Sequence, residues 1–144
     1  MSVLSIAASG MAAAVSQLNV SAQNIANSQS YGALGDAQTP SGSPSAPSGA
    51  APKAYAPLQL VQFSLPLDEG GGVQTTTTVS ANPDHAVYDP SASYADSRGL
   101  VSAPNVDPVT EAVNQMQALT QFKANLDLFR AGEDMMASAL KLVV

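Results

Sequence analysis

The apolar residues at the start of the chain recur with helical spacing. They step by alternating fours and threes from Leu4 to Ile25, and the largest ones include Met11 and Leu18, with Val15 among the smaller ones between. The polar residues between them are Ser, Asn and Gln, with no charge. Neutral amides can enter an interface without the cost of burying an ion. We therefore predict an N-terminal helix, within residues 1–32, whose polar sides face other protein.

A second helical pattern fills the end of the chain, over residues 107–144. Asp107 can cap a helix whose first residue is Pro108, a position where proline is favoured. Two lines of large apolar residues run along this helix, spaced by about two turns: Phe122, Phe129, Met136 and Val143 in one, and Leu119, Leu126 and Leu140 in the other. From Met135 onward, apolar residues occupy more than half of the circumference. Because one partner helix cannot cover such a surface, we expect neighbouring subunits to do so.

The middle of the chain changes period twice. Residues 33–56 are rich in Pro, Gly, Ser and Ala and read as a linker or extended arm. Residues 57–106 are predicted to form strands and turns. Two strand candidates, LQLVQFSL and VQTTTTVSA, flank DEGGG and predict a hairpin. The following NPDHAVYDP is turn-rich, and GLVSA is a third strand candidate. The predicted fold is mainly α with a small β segment, in which long N- and C-terminal helices pair as a coiled-coil-like core domain.

Composition narrows the class of protein. Charged residues are 11% of the chain, the net charge is -6, and there is no cysteine. An acidic chain lacks the basic face of a nucleic-acid binder, and a chain without cysteine has neither disulfides nor thiol nucleophiles. A secretory signal needs a basic start, yet the first basic residue is Lys53. No uninterrupted apolar run is long enough to suggest a membrane span.

No pattern in the chain points to catalysis. His85 is the single histidine, and we interpret it as an exposed loop residue rather than a base. The acidic residues of the β region lack the spacing of a calcium loop, and no phosphate or dinucleotide loop is present. We therefore expect no enzymatic activity, no cofactor and no metal.

Two motifs at opposite ends of the chain carry a family resemblance. SGMAAAVSQLNVSAQNIAN resembles the N-terminal signature of the bacterial flagellar rod and hook axial proteins. YDPSASYADSRGLVSAPNVDPVTEAVNQMQALTQFKAN looks like the proximal-rod subgroup of that family, with Tyr-Asp-Pro, Pro-Asn-Val and an aromatic-x-Ala-Asn motif ending at Asn125. The resemblance spans about the first thirty and last sixty residues.

The resemblance implies a structural subunit of the flagellar basal-body rod, which assembles helically through its terminal helices into a periplasmic drive shaft. It implies export by the flagellar type III apparatus without a cleaved signal peptide. The implied partners are further copies, other rod proteins and the export apparatus, with basal-body ring proteins as a further candidate, and neither nucleic acid nor direct membrane insertion. The alternatives are another axial protein of distal-rod or hook type, or a secreted helical adaptor. The candidate assembly residues are Leu4, Met11, Val15, Leu18, Asn24, Ile25, Asn27, Leu119, Phe122, Asn125, Leu126, Phe129, Met136, Leu140 and Val143, with Asn24 and Asn27 as hydrogen bonders between helices.

Overall fold

Two long helices and two small antiparallel sheets make up the computed structural model, which describes residues 3–34, 51–66 and 71–143. The elements in chain order are α1 (Val3–Ala26), β1 (Gly32–Ala33), β2 (Leu58–Ser64), β3 (Val73–Val79), β4 (Asp84–Tyr88), β5 (Leu100–Pro104) and α2 (Pro108–Val143). The chain is thus mainly helical with a small β part, as predicted.

The two helices pack against each other in opposite directions. The hydroxyl of Ser21, near the end of α1, contacts Glu111 at the start of α2. At the other end of the pair, a Cβ added to Gly132 would lie 2.9 Å from Leu4 Cδ2. In between, a Cβ added to Gly10 would lie 2.6 Å from Asn125 Oδ1, so the two helices approach closely where α1 has no side chain.

The buried line of α1 lies one residue before the predicted seam. Ala7, Ala14, Ser21 and Asn24 are buried, whereas Val15 and Leu18 on the predicted seam are 44% and 39% exposed. The shift by one residue turns the helix by about 100° and places its small side chains against α2. Small residues allow the helix backbones to approach, and the larger seam residues are left beside the contact.

The start of α2 has the predicted cap. Asp107 Oδ1 accepts a hydrogen bond from the backbone N–H of Val109 at 3.0 Å, and Oδ2 accepts one from the Thr110 hydroxyl at 2.6 Å. These bonds, that from Thr110 foremost, lower the pKa of Asp107. The carboxylate therefore satisfies donors that the first turn of a helix leaves unpaired.

The predicted hairpin and third strand are present. β2 pairs antiparallel with β3 from Leu58↔Val79 to Ser64↔Val73, while residues 67–70 of its connection lie outside the described residues. β5 is the centre of a second sheet, in the order β1–β5–β4, and it is buried from Val101 to Pro104.

Two strands were missed, the short β1 and β4, and one assignment was wrong. NPDHAVYDP was predicted as turn, but Asp84–Tyr88 form β4, paired with β5. His85 is exposed as predicted, yet it lies in this strand and not in a loop. Asp and His are weak strand formers, so the pairing with β5 decides the conformation.

Part of the predicted linker is ordered against the rest of the chain. Residues 35–50 lie outside the described residues, but residues 51–57, which we call the strap, are described. Ala33 N–H donates to Pro52 O at 2.7 Å, and Tyr55 N–H donates to Ser30 O at 3.0 Å. The strap therefore follows the turn after α1 and leads into β2.

The length and hydropathy of α1 bear on the membrane question. The helix has 24 residues, and a stretch of 18 residues within it reaches a mean hydropathy of 1.4, which is enough by length and composition to cross a membrane. A core helix or a signal sequence passes the same test. Ser, Asn and Gln interrupt the apolar residues of α1, so it contains no long uninterrupted apolar run, and it reaches this hydropathy because none of these polar residues is charged.

Candidate assembly surface and polar hub

Asn24 is the centre of a buried polar cluster that joins both helices to β2. Its side chain is 2% exposed. Its Nδ2 donates to Leu58 O at 2.9 Å and to Glu111 Oε1 at 2.7 Å. Its Oδ1 accepts from Leu58 N–H at 2.9 Å and from the Tyr55 hydroxyl at 3.0 Å. All four hydrogen-bonding positions of the amide are therefore filled inside the chain.

Glu111 holds the second half of this cluster. The Ser21 hydroxyl lies 2.7 Å from both the backbone O and Oε2 of Glu111, and it donates its one proton to either. Asn114 Nδ2 donates to the same Oε2 at 3.2 Å. Burial, and secondarily the negative charge of Glu111, raises the pKa of Tyr55. We call Ser21, Asn24, Tyr55, Leu58 and Glu111 the polar hub.

The polar hub fixes the relative positions of four segments. It contains residues of α1, the strap, β2 and α2, and each bond in it is directional. A partly satisfied buried network costs stability, whereas a satisfied one specifies a single arrangement. No buried side-chain nitrogen or oxygen is unpaired among the described residues. The hub thus sets how the outer faces of the two helices are presented.

The described core consists mostly of small side chains. Its buried apolar residues are Ala7, Ala13, Ala14, Val101, Ala103 and Ala118. Many large apolar residues are exposed, and most of these belong to the two helices: Val3, Ile6, Val15, Leu18, Val109, Val113, Met116, Leu119, Leu128, Met135, Met136, Leu140 and Leu142. Exposed apolar residues gathered on two helices are typical of a surface that contacts other protein.

An apolar groove runs along one side of the helix pair. It has a volume of about 220 Å³ and is lined by Ala14, Val15, Leu18, Ala118, Leu119 and Phe122. Four of these were predicted as assembly residues from the sequence. The structure brings them together because the α1–α2 contact lies beside them and its small side chains leave a depression.

The last part of α2 extends past α1. Leu4 contacts α2 at Gly132, near the beginning of α1. The helix then continues to Val143, about 16 Å further at 1.5 Å per residue. Residues 133–142 are all exposed, including Met135 at 61% and Leu140 at 70%. This apolar overhang has no cover from the described part of the chain.

The predicted assembly residues fall into several structural groups. Leu4, Met11, Ile25, Phe122, Asn125, Leu126 and Phe129 are half-buried, Val15, Leu18, Leu119, Met136 and Leu140 are exposed, and the side chain of Val143 lies outside the described residues. Asn125 Nδ2 donates to Gln121 O of its own helix at 2.9 Å. Their role in assembly stays a prediction.

The two asparagines differ from each other. Asn24 does bond across to α2, but within its own chain, where it is saturated. Asn27 is half-buried and donates to Gln23 O of its own helix at 3.0 Å, with a second contact to the Ser30 hydroxyl at 3.4 Å. Neither bond of Asn27 joins two helices, so within the described residues Asn27 makes no hydrogen bond of the predicted kind between helices.

Sequence reasoning missed the rest of the polar hub. Glu111 was considered only as a capping residue and Tyr55 only as part of a linker. The available signal was the scarcity of charge: an acid in the first turns of an otherwise amide-rich helix pair is a candidate for pairing with the other helix. The strap carries no periodic pattern that would have placed Tyr55 there.

The geometry describes a structural subunit. Over residues 3–34, 51–66 and 71–143, no group of three or more His, Cys, Asp or Glu side chains could hold a metal ion. The titratable residues of the hub serve to hold segments together. A helix pair with an alanine-rich core, an uncovered apolar surface and an ordered β appendage is the form of a protein that is completed by assembly.

Comparison with known proteins gives the particular family. Residues 97–142 match the family model described as flagellar basal body rod FlgEFG protein C-terminal. The chain is 33% identical to the flagellar basal-body rod protein FlgC of Salmonella typhimurium, over 99% of this chain and 96% of that protein. It is 33% identical to the same protein of Escherichia coli O157:H7 with equal coverage, and 30% identical to that of Agrobacterium fabrum over 96% and 91%. The chain belongs to the FlgC family of flagellar basal-body rod proteins.

Family membership confirms several predictions. The resemblance to proximal-rod proteins, the role as a structural rod subunit and the absence of an enzymatic role are confirmed by the near full-length match to FlgC proteins. The match also places the chain in the flagellar basal body, with other rod proteins as partners. The adaptor alternative is thereby set aside.

Proposed function

We propose that this subunit builds the proximal rod by burying its apolar helix surfaces against further copies and other rod proteins, so that the stacked helices form a helical, periplasmic drive shaft that transmits motor torque. The terminal helices pair as a coiled-coil-like core domain, and the segment of residues 33–56 contacts adjacent subunits. The subunit reaches the periplasm through the flagellar type III apparatus without a cleaved signal peptide, and it does not insert into the membrane.

The observation that carries the proposal is the distribution of apolar size. Alanine fills most of the described core, whereas many large side chains of both helices remain exposed. Burying one large apolar side chain stabilises by about 1.5–3 kcal/mol. Shared between neighbours along a shaft, many such burials resist torsion without any covalent link.

The overhang of α2 is the sharpest place to test this. Leu140 is 70% exposed in the single chain, so Leu140→Asp removes little intramolecular packing. Ser138→Asp is the matched control, because Ser138 is exposed on the same helix and receives the same charge. Each variant is expressed in a strain without the native gene, and basal bodies are purified and counted.

The two variants are expected to differ. Leu140→Asp should abolish or strongly reduce rods while the purified chain keeps its helical circular dichroism spectrum, and Ser138→Asp should assemble. Normal rod yield with Leu140→Asp would contradict the proposal for this face. The groove is tested in the same way with Leu18→Asp, and Phe129→Asp probes the predicted apolar line of α2.

A further inference from the structure

A half-open cleft lies between β2 and the two helices, away from the apolar groove. Its volume is about 610 Å³, within the range of sites that bind ligands or short peptide segments. Its lining comes from β2 and from α1 on one side, and from residues 105–114 on the other. None of the described residues of β3 lines it, so the cleft faces the free edge of the hairpin.

The pairing of the hairpin determines which backbone groups face the cleft. Ser80 N–H donates to Pro57 O at 2.8 Å, and Leu65 N–H donates to Gly72 O at 2.9 Å. In an antiparallel pair, bonded positions alternate along each strand. Odd-numbered positions of β2 therefore bond to β3, and the N–H and C=O groups of Leu58, Leu60 and Gln62 point to the other edge.

Asn24 already uses the first position of that edge. Its amide accepts from Leu58 N–H and donates to Leu58 O, which is the two-bond pattern that a neighbouring strand would make. At Leu60 and Gln62, no group of the described residues bonds to the outward N–H or C=O. An unpaired strand edge is a template for another strand.

The opposite wall of the cleft is acidic. Asp107 and Glu111 are the charged residues among those lining it. Neither belongs to an ion pair with a described residue, since those ion pairs are Arg98–Asp96 and Arg130–Asp127. A segment entering the cleft would meet two carboxylates and no cation, which favours a basic occupant and disfavours an acidic one.

We propose that this cleft binds an extended, basic segment of a partner protein, which adds as a strand to the edge of β2 at Leu60 and Gln62 and places a Lys or Arg side chain near Asp107 and Glu111. Main-chain hydrogen bonds supply affinity in such strand addition, and the flanking side chains supply specificity. This site is separate from the apolar helix surfaces, and its existence does not depend on their role in assembly.

The edge is tested with a synthetic peptide that alternates threonine and valine around a central lysine, binding to the full-length chain. Gln62→Pro removes the outward N–H while leaving the ladder to β3, since proline is tolerated where a strand's N–H faces outward. Gln62→Ala is the matched control, because it removes the same side chain and its 3.4 Å contact with Gln17 but keeps the N–H.

Fluorescence anisotropy of the labelled peptide gives the dissociation constants. We expect Gln62→Ala to bind like the native chain and Gln62→Pro to bind about five- to tenfold more weakly, as one lost hydrogen bond implies. Equal binding by the two variants, or no binding by the native chain, would overturn the proposal. Amide exchange at Leu60 and Gln62 should slow when the peptide binds.

The charge requirement has its own variant, which also serves if Gln62→Pro does not fold. Asp107→Asn keeps an N-cap of equal quality and removes one negative charge. We expect it to weaken peptide binding by a few fold at low salt and to show a smaller salt dependence. A peptide with glutamate in place of lysine should bind more weakly than the original. If it binds equally well, the basic partner is wrong. If Gln62→Pro instead lowers self-association of the chain, the occupant is a second copy and the proposal is refuted.

Discussion

Asn24→Ala tests whether the polar hub holds the helix pair together. The native amide makes four hydrogen bonds, two to the backbone of Leu58 and one each to Tyr55 and Glu111. Each such bond contributes about 0.5–1.5 kcal/mol, which gives about 2–6 kcal/mol for the set. Because Asn24 also lines the 610 Å³ cleft, water can replace some partners, and we expect a loss of about 2–4 kcal/mol.

Asn27→Ala is the matched control for this measurement. It is the same residue type on the same helix, but its bonds are to its own helix and to the adjacent turn. We expect it to change stability by about 0.5 kcal/mol or less. The free energies of unfolding come from urea titrations followed by helical circular dichroism. A loss for Asn24→Ala no greater than that for Asn27→Ala would refute the structural role of the hub.

Two further predictions concern the stability that the polar hub supplies at different pH and the backbone conformation of Gly99, directly before β5. Folding raises the pKa of Tyr55 above its ordinary value of 10.0, so this hydroxyl contributes to the free energy of unfolding below pH 10, and the contribution is lost as the pH rises through the folded-state pKa. In urea titrations at increasing pH, Tyr55→Phe should therefore lose less stability at alkaline pH than the native chain. An equal alkaline loss in both would contradict this role of Tyr55. Gly99 has φ 75°, and an added Cβ would lie 2.9 Å from Tyr88 Cε2, so Gly99→Ala should lower thermal stability by about 1–2 kcal/mol. Gly99→Asn should lower the stability less than Gly99→Ala, because asparagine adopts positive φ more readily than alanine. An equal loss would mean that the contact with Tyr88 dominates.

Helices and strands could be predicted from the sequence where residues close together in the chain determine them. Asp107 and Pro108 marked the start of α2, and the β-branched run of β3 marked a strand, because capping and strand propensity act within a few residues. β4 was not readable in this way. Its Asp84 and His85 favour no strand, and its conformation follows from pairing with a buried neighbour that is distant in sequence.

The candidate site was predicted only in part for the same reason. Leu18 and Phe122 were identified as surface for assembly from their spacing, and the structure brings both into one groove. Glu111 and Tyr55 were not identified as partners of Asn24, because the three lie far apart in the chain. A hydrogen bond between such residues depends on the packing of segments, which no local pattern specifies.

Local properties of the chain were enough to predict the kind of protein. Alternating three- and four-residue spacing, the scarcity of charge and the motifs at both ends predicted long terminal helices that end up against other protein, since these properties depend on residue type and spacing alone. The tertiary structure decided which face of α1 is internal. The buried face of α1 runs through Ala7, Ala14 and Ser21 and not through the larger seam residues. The two helix backbones approach closely at Gly10, and the polar hub joins them at one end, so the contact has room only for small side chains. Large residues such as Val15 and Leu18 are thereby left exposed, where neighbouring subunits can bury them.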